Sequence, residues 1–220
     1  STVEKTALAD AEVEYLNHTS NTIFVAFKIK STKKKSLEDA NIIIWTTTPW
    51  TIPANKALAF NNSIEYSLIQ INELEYFKET KIVVATNLIN SIIKLCDIKD
   101  YKVLDSFKGS ELRETICSHP FLNFDFNYDI PMLEANFVDL EQGTGIVHCA
   151  PSHGPDDFNL CLKNNIPSSY TVDNSGLYTK EVPHFTGTHI FKADTIVIEK
   201  LKEQKKLLKD DKLNHSYPHS

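Results

Sequence analysis

The run Ile42-Ile43-Ile44-Trp45-Thr46-Thr47-Thr48-Pro49 constrains this chain more than any other stretch. Its apolar first half reads as a buried β-strand. The threonines that follow keep the β-branched shape a strand favours, but each adds a hydroxyl donor and acceptor. Pro49 has no N–H to give to a ladder, so the strand is expected to end there. Side chains alternate along a strand. Trp45 and Thr47 should therefore face one way, and Thr46 and Thr48 the other. Hydroxyls at the mouth of a buried strand suit a polar ligand held without charge. A threonine-rich edge strand before a proline turn explains the same pattern, and the residues alone leave both readings open.

The rest of the composition narrows the class. The chain has 220 residues, 41% hydrophobic and 24% charged, which is ordinary globular material with enough for a real core. No apolar run reaches the roughly 18 residues a membrane helix needs, so no membrane partner is expected. Ser1-Thr2-Val3-Glu4-Lys5 lacks the basic and apolar regions of a signal peptide. The chain also starts without methionine and stops at Ser220 in mid-phrase, so a fragment of a longer protein is expected. Cys96, Cys117, Cys149 and Cys161 form no CxxC pair and read as reduced thiols of a cytoplasmic protein. The formal charge of −6 argues against gripping a long nucleic acid unaided. One end of a nucleic acid held by a partner domain remains compatible with it.

Along the chain, strands are predicted at 11–17 and 22–30 around a turn containing Asn17, Ser20 and Asn21, then at 57–60, 64–71, 81–85 and 101–107. Thr86 is a plausible N-cap for a helix over 87–96. Residues 117–131, rich in aromatics, read as irregular structure packed by its own rings. Short strands follow at 137–140 and 146–150. A helix over 155–164 has proline at its first position and Asp156 and Asp157 in its first turn, as the helix dipole favours. The last helix is placed over 192–208. Many short strands with a few helices imply a mixed, strand-rich α/β domain, barrel-like in form.

A second stretch, Gly143-Thr144-Gly145-Ile146-Val147-His148-Cys149-Ala150-Pro151-Ser152-His153-Gly154-Pro155-Asp156-Asp157, carries chemistry. Its glycines mark a turn or a close backbone approach. A short strand brings His148 to its end, and a loop then delivers the chain to a helix start holding Asp157. Three readings stay open: a structural one with a capping aspartate and a core histidine; a metal site from His148, His153 and Asp157, whose spacing fits no standard ligand set; and a ligand site where Asp157 anchors a cation and His148 bonds a hydroxyl or water. No GxSxG elbow supports a serine nucleophile.

Taken together, Trp45 through Asn55 and Gly143 through Asp157 closely resemble the editing domain of isoleucyl-tRNA synthetase, the large insertion of that class I aminoacyl-tRNA synthetase family. Ala7–Tyr15, Phe107–Leu112 and Asn214–His219 extend the resemblance over most of the chain. Valyl and leucyl relatives typically carry Thr-Thr-Arg-Pro where this chain reads Thr46-Thr47-Thr48-Pro49, and they lack a histidine at the place of His148; both features favour the isoleucyl member. The HIGH and KMSKS signatures are absent, so no amino-acid activation is expected.

The resemblance implies a single editing domain over residues 1–220, β-barrel-like with peripheral helices. Segments of about 1–12 and 213–220 would lead to a catalytic domain. It implies hydrolysis of valine misattached to the 3′-terminal adenosine of isoleucine tRNA, and of valyl-adenylate. Catalytic roles fall on Thr46, Thr47, Thr48, His148 and Asp157. Substrate contacts fall on Trp45, Asn55, His148 and Asp157, with His153 and Asp156 ranked below them and Asp156 read as a helix cap. No metal, cofactor or covalent intermediate is expected. The partners would be the charged tRNA end, valyl-adenylate and the rest of the parent synthetase, with the isolated domain monomeric. The competing class is a non-catalytic module that docks the tRNA acceptor end.

Overall fold

The computed structural model describes residues 17–216. Its spine is β1 (Asn17–Ser31), a strand with both faces buried over Ile23, Phe24, Val25, Ala26 and Phe27. β2 (Asn41–Thr46) runs antiparallel to it, pairing Ile23 with Thr46 and Phe27 with Ile42. The three isoleucines of β2 are fully buried, which explains why that half of the stretch has no polar residue. The other strands are β3 (Ala57–Phe60), β4 (Glu65–Ile71), β5 (Lys81–Ala85), β6 (Tyr101–Lys108), β7 (Ile116–Ser118), β8 (Asp129–Glu134), β9 (Val147–Cys149) and β10 (Leu207–Ser216). They join one mixed sheet in the order β6-β4-β5-β2-β1-β7-β8-β3-β9, with β10 also on β1. β2 with β5 and β3 with β8 are parallel; the other pairings are antiparallel. The helices α1 (Ile89–Leu95), α2 (Pro155–Lys163) and α3 (Ile190–Glu203) lie outside the sheet path. The cysteines Cys96, Cys117, Cys149 and Cys161 are free and buried.

The mixed, strand-rich class is borne out, but the sheet is not a closed barrel: its hydrogen-bonded path ends at β6 and β9. Curvature nevertheless brings β9 across the end of β2. The Gly143-Thr144-Gly145 turn fixes that approach. Gly145 has φ +82°, and a Cβ there would stand 2.5 Å from the Cβ of Ala85, so only glycine fits. Thr144 ties the turn to β2 and β5: its hydroxyl donates to the Ile43 carbonyl at 2.6 Å, and its own carbonyl accepts the Ala85 N–H at 2.8 Å.

Several sequence expectations need correction. No turn interrupts the chain at Ser20 and Asn21, which continue β1 and pair with Leu213 and Lys212. The companion strand expected at 11–17 lies outside the described residues apart from Asn17. The last helix stops at Glu203 rather than 208. Lys205 adopts φ 57°, and Leu207 and Leu208 enter β10, where pairing with β1 buries them. The expected strand at 137–140 is irregular chain that follows a turn at Asn136 and Phe137. Residues 117–131 do pack their own rings, with His119, Phe121, Phe126 and Tyr128 in mutual contact, but the segment also contributes β7 and β8. Thr86 opens a 3-10 turn instead of capping a helix, and its hydroxyl bonds Ser67 at 2.7 Å. Of the two connecting segments, 1–12 and 217–220 lie outside the described residues, while 213–216 belong to β10.

Candidate active site

β2 ends at Thr46, three residues before the proline expected to stop it. The Thr46 hydroxyl accepts the Thr48 N–H at 3.1 Å and so turns the chain out of the sheet. Thr46 and Thr48 do share a side, with hydroxyls 3.3 Å apart. Pro49 then starts a 3-10 turn, Pro49–Ala54. In such a turn residues three apart eclipse. Thr51 therefore falls beside Thr48: its hydroxyl donates to the Thr48 carbonyl at 2.9 Å and lies 3.3 Å from the Thr48 hydroxyl.

β9 faces this turn. His148 is buried, with Nε2 2.8 Å from the Thr51 hydroxyl and Nδ1 2.7 Å from the Asn55 side-chain nitrogen. The same Asn55 nitrogen donates to the Ala57 carbonyl at 3.0 Å, which fixes the orientation of the amide. Asn55 therefore donates to Nδ1, and the ring proton sits on Nε2 and is given to Thr51. Thr51 can accept it because its own proton goes to Thr48. Burial lowers the His148 pKa to about 3, with His153 a smaller influence in the same direction. The imidazole is neutral at pH 7 and both of its nitrogens are occupied. Asn55 Oδ1 has no partner among the described residues.

Asp157 lies in the first turn of α2 and is half-buried. Its Oδ2 accepts the Ala150 N–H at 2.9 Å. Burial raises its pKa and nearby Asp156 adds to this, while the Ala150 bond opposes it. No salt bridge engages it among the described residues. Trp45, Thr46, Thr47, Thr48, Thr51, Val147, His148, Ala150, His153 and Asp157 surround one cavity of about 230 Å³.

The two stretches singled out in the sequence thus meet. Asn55 does not line the cavity; it stands behind His148 and sets its tautomer. His153 lines the wall with its ring against Trp50, centroids 4.9 Å apart, and Nε2 3.1 Å from the Thr171 hydroxyl. Burial lowers its pKa to about 4. Asp156 is exposed and lines a different depression with Glu134 and Lys163. It caps nothing, since Gly154 holds the N-cap position and no side chain caps that turn. Ser152 bonds the Ser169 carbonyl at 2.6 Å. Thr51 and Val147 line the cavity but were not singled out from the sequence. The signal for Thr51 was there, in a hydroxyl three residues after Thr48 on a turn opened by Pro49. Among the described residues, no group of three or more His, Cys, Asp or Glu is arranged to hold a metal ion, and no helix is long and apolar enough to cross a membrane.

No family model matches the chain. It is 65% identical over 220 residues to the isoleucine–tRNA ligase of Pelagibacter ubique, covering 100% of this chain and 24% of that protein. It is 40% identical over 237 residues to that of Gluconobacter oxydans, covering 100% of this chain and 25% of the relative. The chain therefore spans about a quarter of the length of the curated relatives it matches. The solved GlLeuRS-CP1 structure superposes with TM-score 0.65 at 13% identity, covering 84% of this chain and 97% of that one. The Plasmodium knowlesi cytosolic leucyl-tRNA synthetase editing domain gives TM-score 0.64 at 13% identity, covering 93% and 99%. At that identity the likeness shows a shared fold.

Proposed function

We propose that this chain, which belongs to the isoleucine–tRNA ligase family as a segment about a quarter of its members' length and has the fold of CP1 editing domains, hydrolyses valine wrongly esterified to the 3′-terminal adenosine of isoleucine tRNA, and valyl-adenylate. The observation that carries this reading is Asp157. It is a half-buried carboxylate, oriented by the Ala150 N–H, at the wall of a small cavity and without a cation beside it among the described residues. An α-ammonium group supplies that charge, as a charge-assisted hydrogen bond. With the amino group fixed, the side chain beside it is measured by Trp45, Thr48, Val147 and the His148 ring. Such a second measurement is needed because one methylene is worth only about 1–3 kcal/mol in a single binding step.

The ester is already activated, so a positioned water suffices. The water oxygen adds to the ester carbonyl carbon, the acyl C–O bond breaks, and the water's proton ends on the released ribose oxygen. Thr46, Thr48 and Thr51 orient the water and the ribose through their connected hydroxyls. His148 does not act as the base. Its Nδ1 lone pair is used by Asn55, and its low pKa keeps it from taking a proton near neutrality. Its task is to hold the Thr51 hydroxyl and close the wall. The rest of the parent ligase is assigned the grip on the tRNA body.

Valyl-tRNA incubated with the chain, with and without a chelator, tests the reading. Release of valine in both arms is expected, and binding without release would leave a docking module. Two further outcomes follow. The acid limb of kcat/KM should lie above the ordinary aspartate range of about 3.9, because the substrate ammonium needs ionised Asp157 and burial raises that pKa. No limb is expected near 6.5, since His148 and His153 are already neutral there. Thr48→Ala should widen the wall and admit isoleucyl ester, raising the ratio of isoleucyl to valyl cleavage on the order of 10-fold even as loss of the hydroxyl slows both; isoleucyl-tRNA left intact would place the wall elsewhere.

A further inference from the structure

The backbone of Trp50 is gripped at both its N–H and its carbonyl. Its N–H donates to Asp194 Oδ1 at 3.0 Å, and its carbonyl accepts the Tyr178 hydroxyl. Asp194 lies on α3, half-buried on the face that also carries the buried Ala193 and Val197. No salt bridge reaches it among the described residues, and the Trp50 N–H is its hydrogen-bond partner there. A carboxylate drawn partly out of water for one peptide bond is a poor source of stability. Burial accordingly raises its pKa, against the effect of the Trp50 N–H. Tyr178 is almost fully buried against Phe185. What both side chains hold is the start of the 3-10 turn. The next residue, Thr51, presents its hydroxyl to His148, and the Trp50 ring packs on His153.

We propose that Asp194 and Tyr178 are positioning residues for the ester hydrolysis: by fixing the Trp50 backbone, they hold the Thr51 hydroxyl on His148 and the His153 wall in place. The inference rests on the hydrolytic reading of the cavity. Segments far along the chain, α3 and the loop before it, are thereby part of the site's geometry without touching substrate.

The test compares Asp194→Ala, Asp194→Asn and Tyr178→Phe by valyl-tRNA hydrolysis and by amide hydrogen exchange of Trp50, with folding checked by circular dichroism. Asp194→Ala is expected to lower kcat about 10-fold with KM changed less than about two-fold, because a small misplacement costs rate before binding. Asp194→Asn keeps an oxygen for the Trp50 N–H and should restore kcat to within about three-fold. Trp50 amide exchange should speed up about 10-fold in Asp194→Ala and stay slow in Asp194→Asn. Tyr178→Phe, which keeps the ring, should lower kcat in the same direction. A folded Asp194→Ala chain with native kcat, or with unchanged Trp50 exchange, overturns the proposal. So does Asp194→Asn behaving like Asp194→Ala. The exchange readout is independent of catalysis: if the unaltered chain released no valine, the hydrolytic reading would fail while the grip on Trp50 was still measured.

Discussion

Asp157→Ala should slow valyl-tRNA hydrolysis by about 150- to 5,000-fold while leaving the fold in place. Removing one partner of a partly buried charge pair costs roughly 3–5 kcal/mol, because the other charge is left unpaired. Here the stranded charge would be the substrate's ammonium, so the loss falls on binding and positioning. The fold gives up one hydrogen bond, from the Ala150 N–H, at about 1 kcal/mol. It is also relieved of a carboxylate whose pKa is raised by burial, meaning that the ionised form is disfavoured where it sits. Asp157→Asn separates charge from shape. Its oxygen still accepts from Ala150, but it offers no negative charge, so it should be nearly as inactive as the alanine variant. Single-turnover deacylation with a thermal melt measures both effects. A fully active Asp157→Asn would mean that the cavity does not select for an ammonium.

The sequence carried most of this site because its chemistry is local. The strand, the hydroxyls, the glycine turn and the proline-started helix each follow from residue types at short spacing. The fold class was legible for the same reason, since strands such as Lys81–Ala85 and Ala57–Phe60 are bounded by turn residues. What escaped depends on partners distant in the chain. Leu207 and Leu208 fit the apolar pattern of α3, and only pairing with β1 makes them strand. The resemblance made Asn55 a ligand contact, yet β9 places His148 in front of it. Asp156 and Asp157 are neighbours with the same composition signal. The helix turns one toward the cavity and the other toward Lys163, a difference of about 100° per residue that no spacing argument resolved beforehand. Asp194 gave no signal at all, because its partner is a backbone N–H on a segment far earlier in the chain.

The same burial that lowers the His148 pKa makes the fold acid-labile. His119 and His148 have pKa values lowered to about 3, and His153 to about 4, each chiefly by burial. An unfolded histidine titrates near 6.5. Because the folded values are depressed, the unfolded chain binds more protons between those limits, so stability is complete above about pH 6.5 and falls as pH drops toward the folded values. At pH 5 the difference of about 1.5 units costs each imidazole about 2 kcal/mol, or about 6 kcal/mol together. Asp157 and Asp194 act the other way, since their raised pKa values make the folded form the better proton acceptor, and they offset part of this loss. Against a typical total of about 5–15 kcal/mol, the net is large. Moving from pH 7 to pH 5 should lower Tm by roughly 10 °C or more for a chain of this size. Two of these imidazoles pack against the candidate site. His119 donates Nε2–H to the Ile52 carbonyl beneath the 3-10 turn at 3.1 Å, and His148 holds Thr51 on it. Protonation adds a proton at Nδ1, which removes the bond accepted there: the Phe121 N–H in His119 and the Asn55 amide in His148. Thermal melts across pH 7 to 5 measure the loss, and a Tm that stayed level would mean these imidazoles reach water in the folded protein.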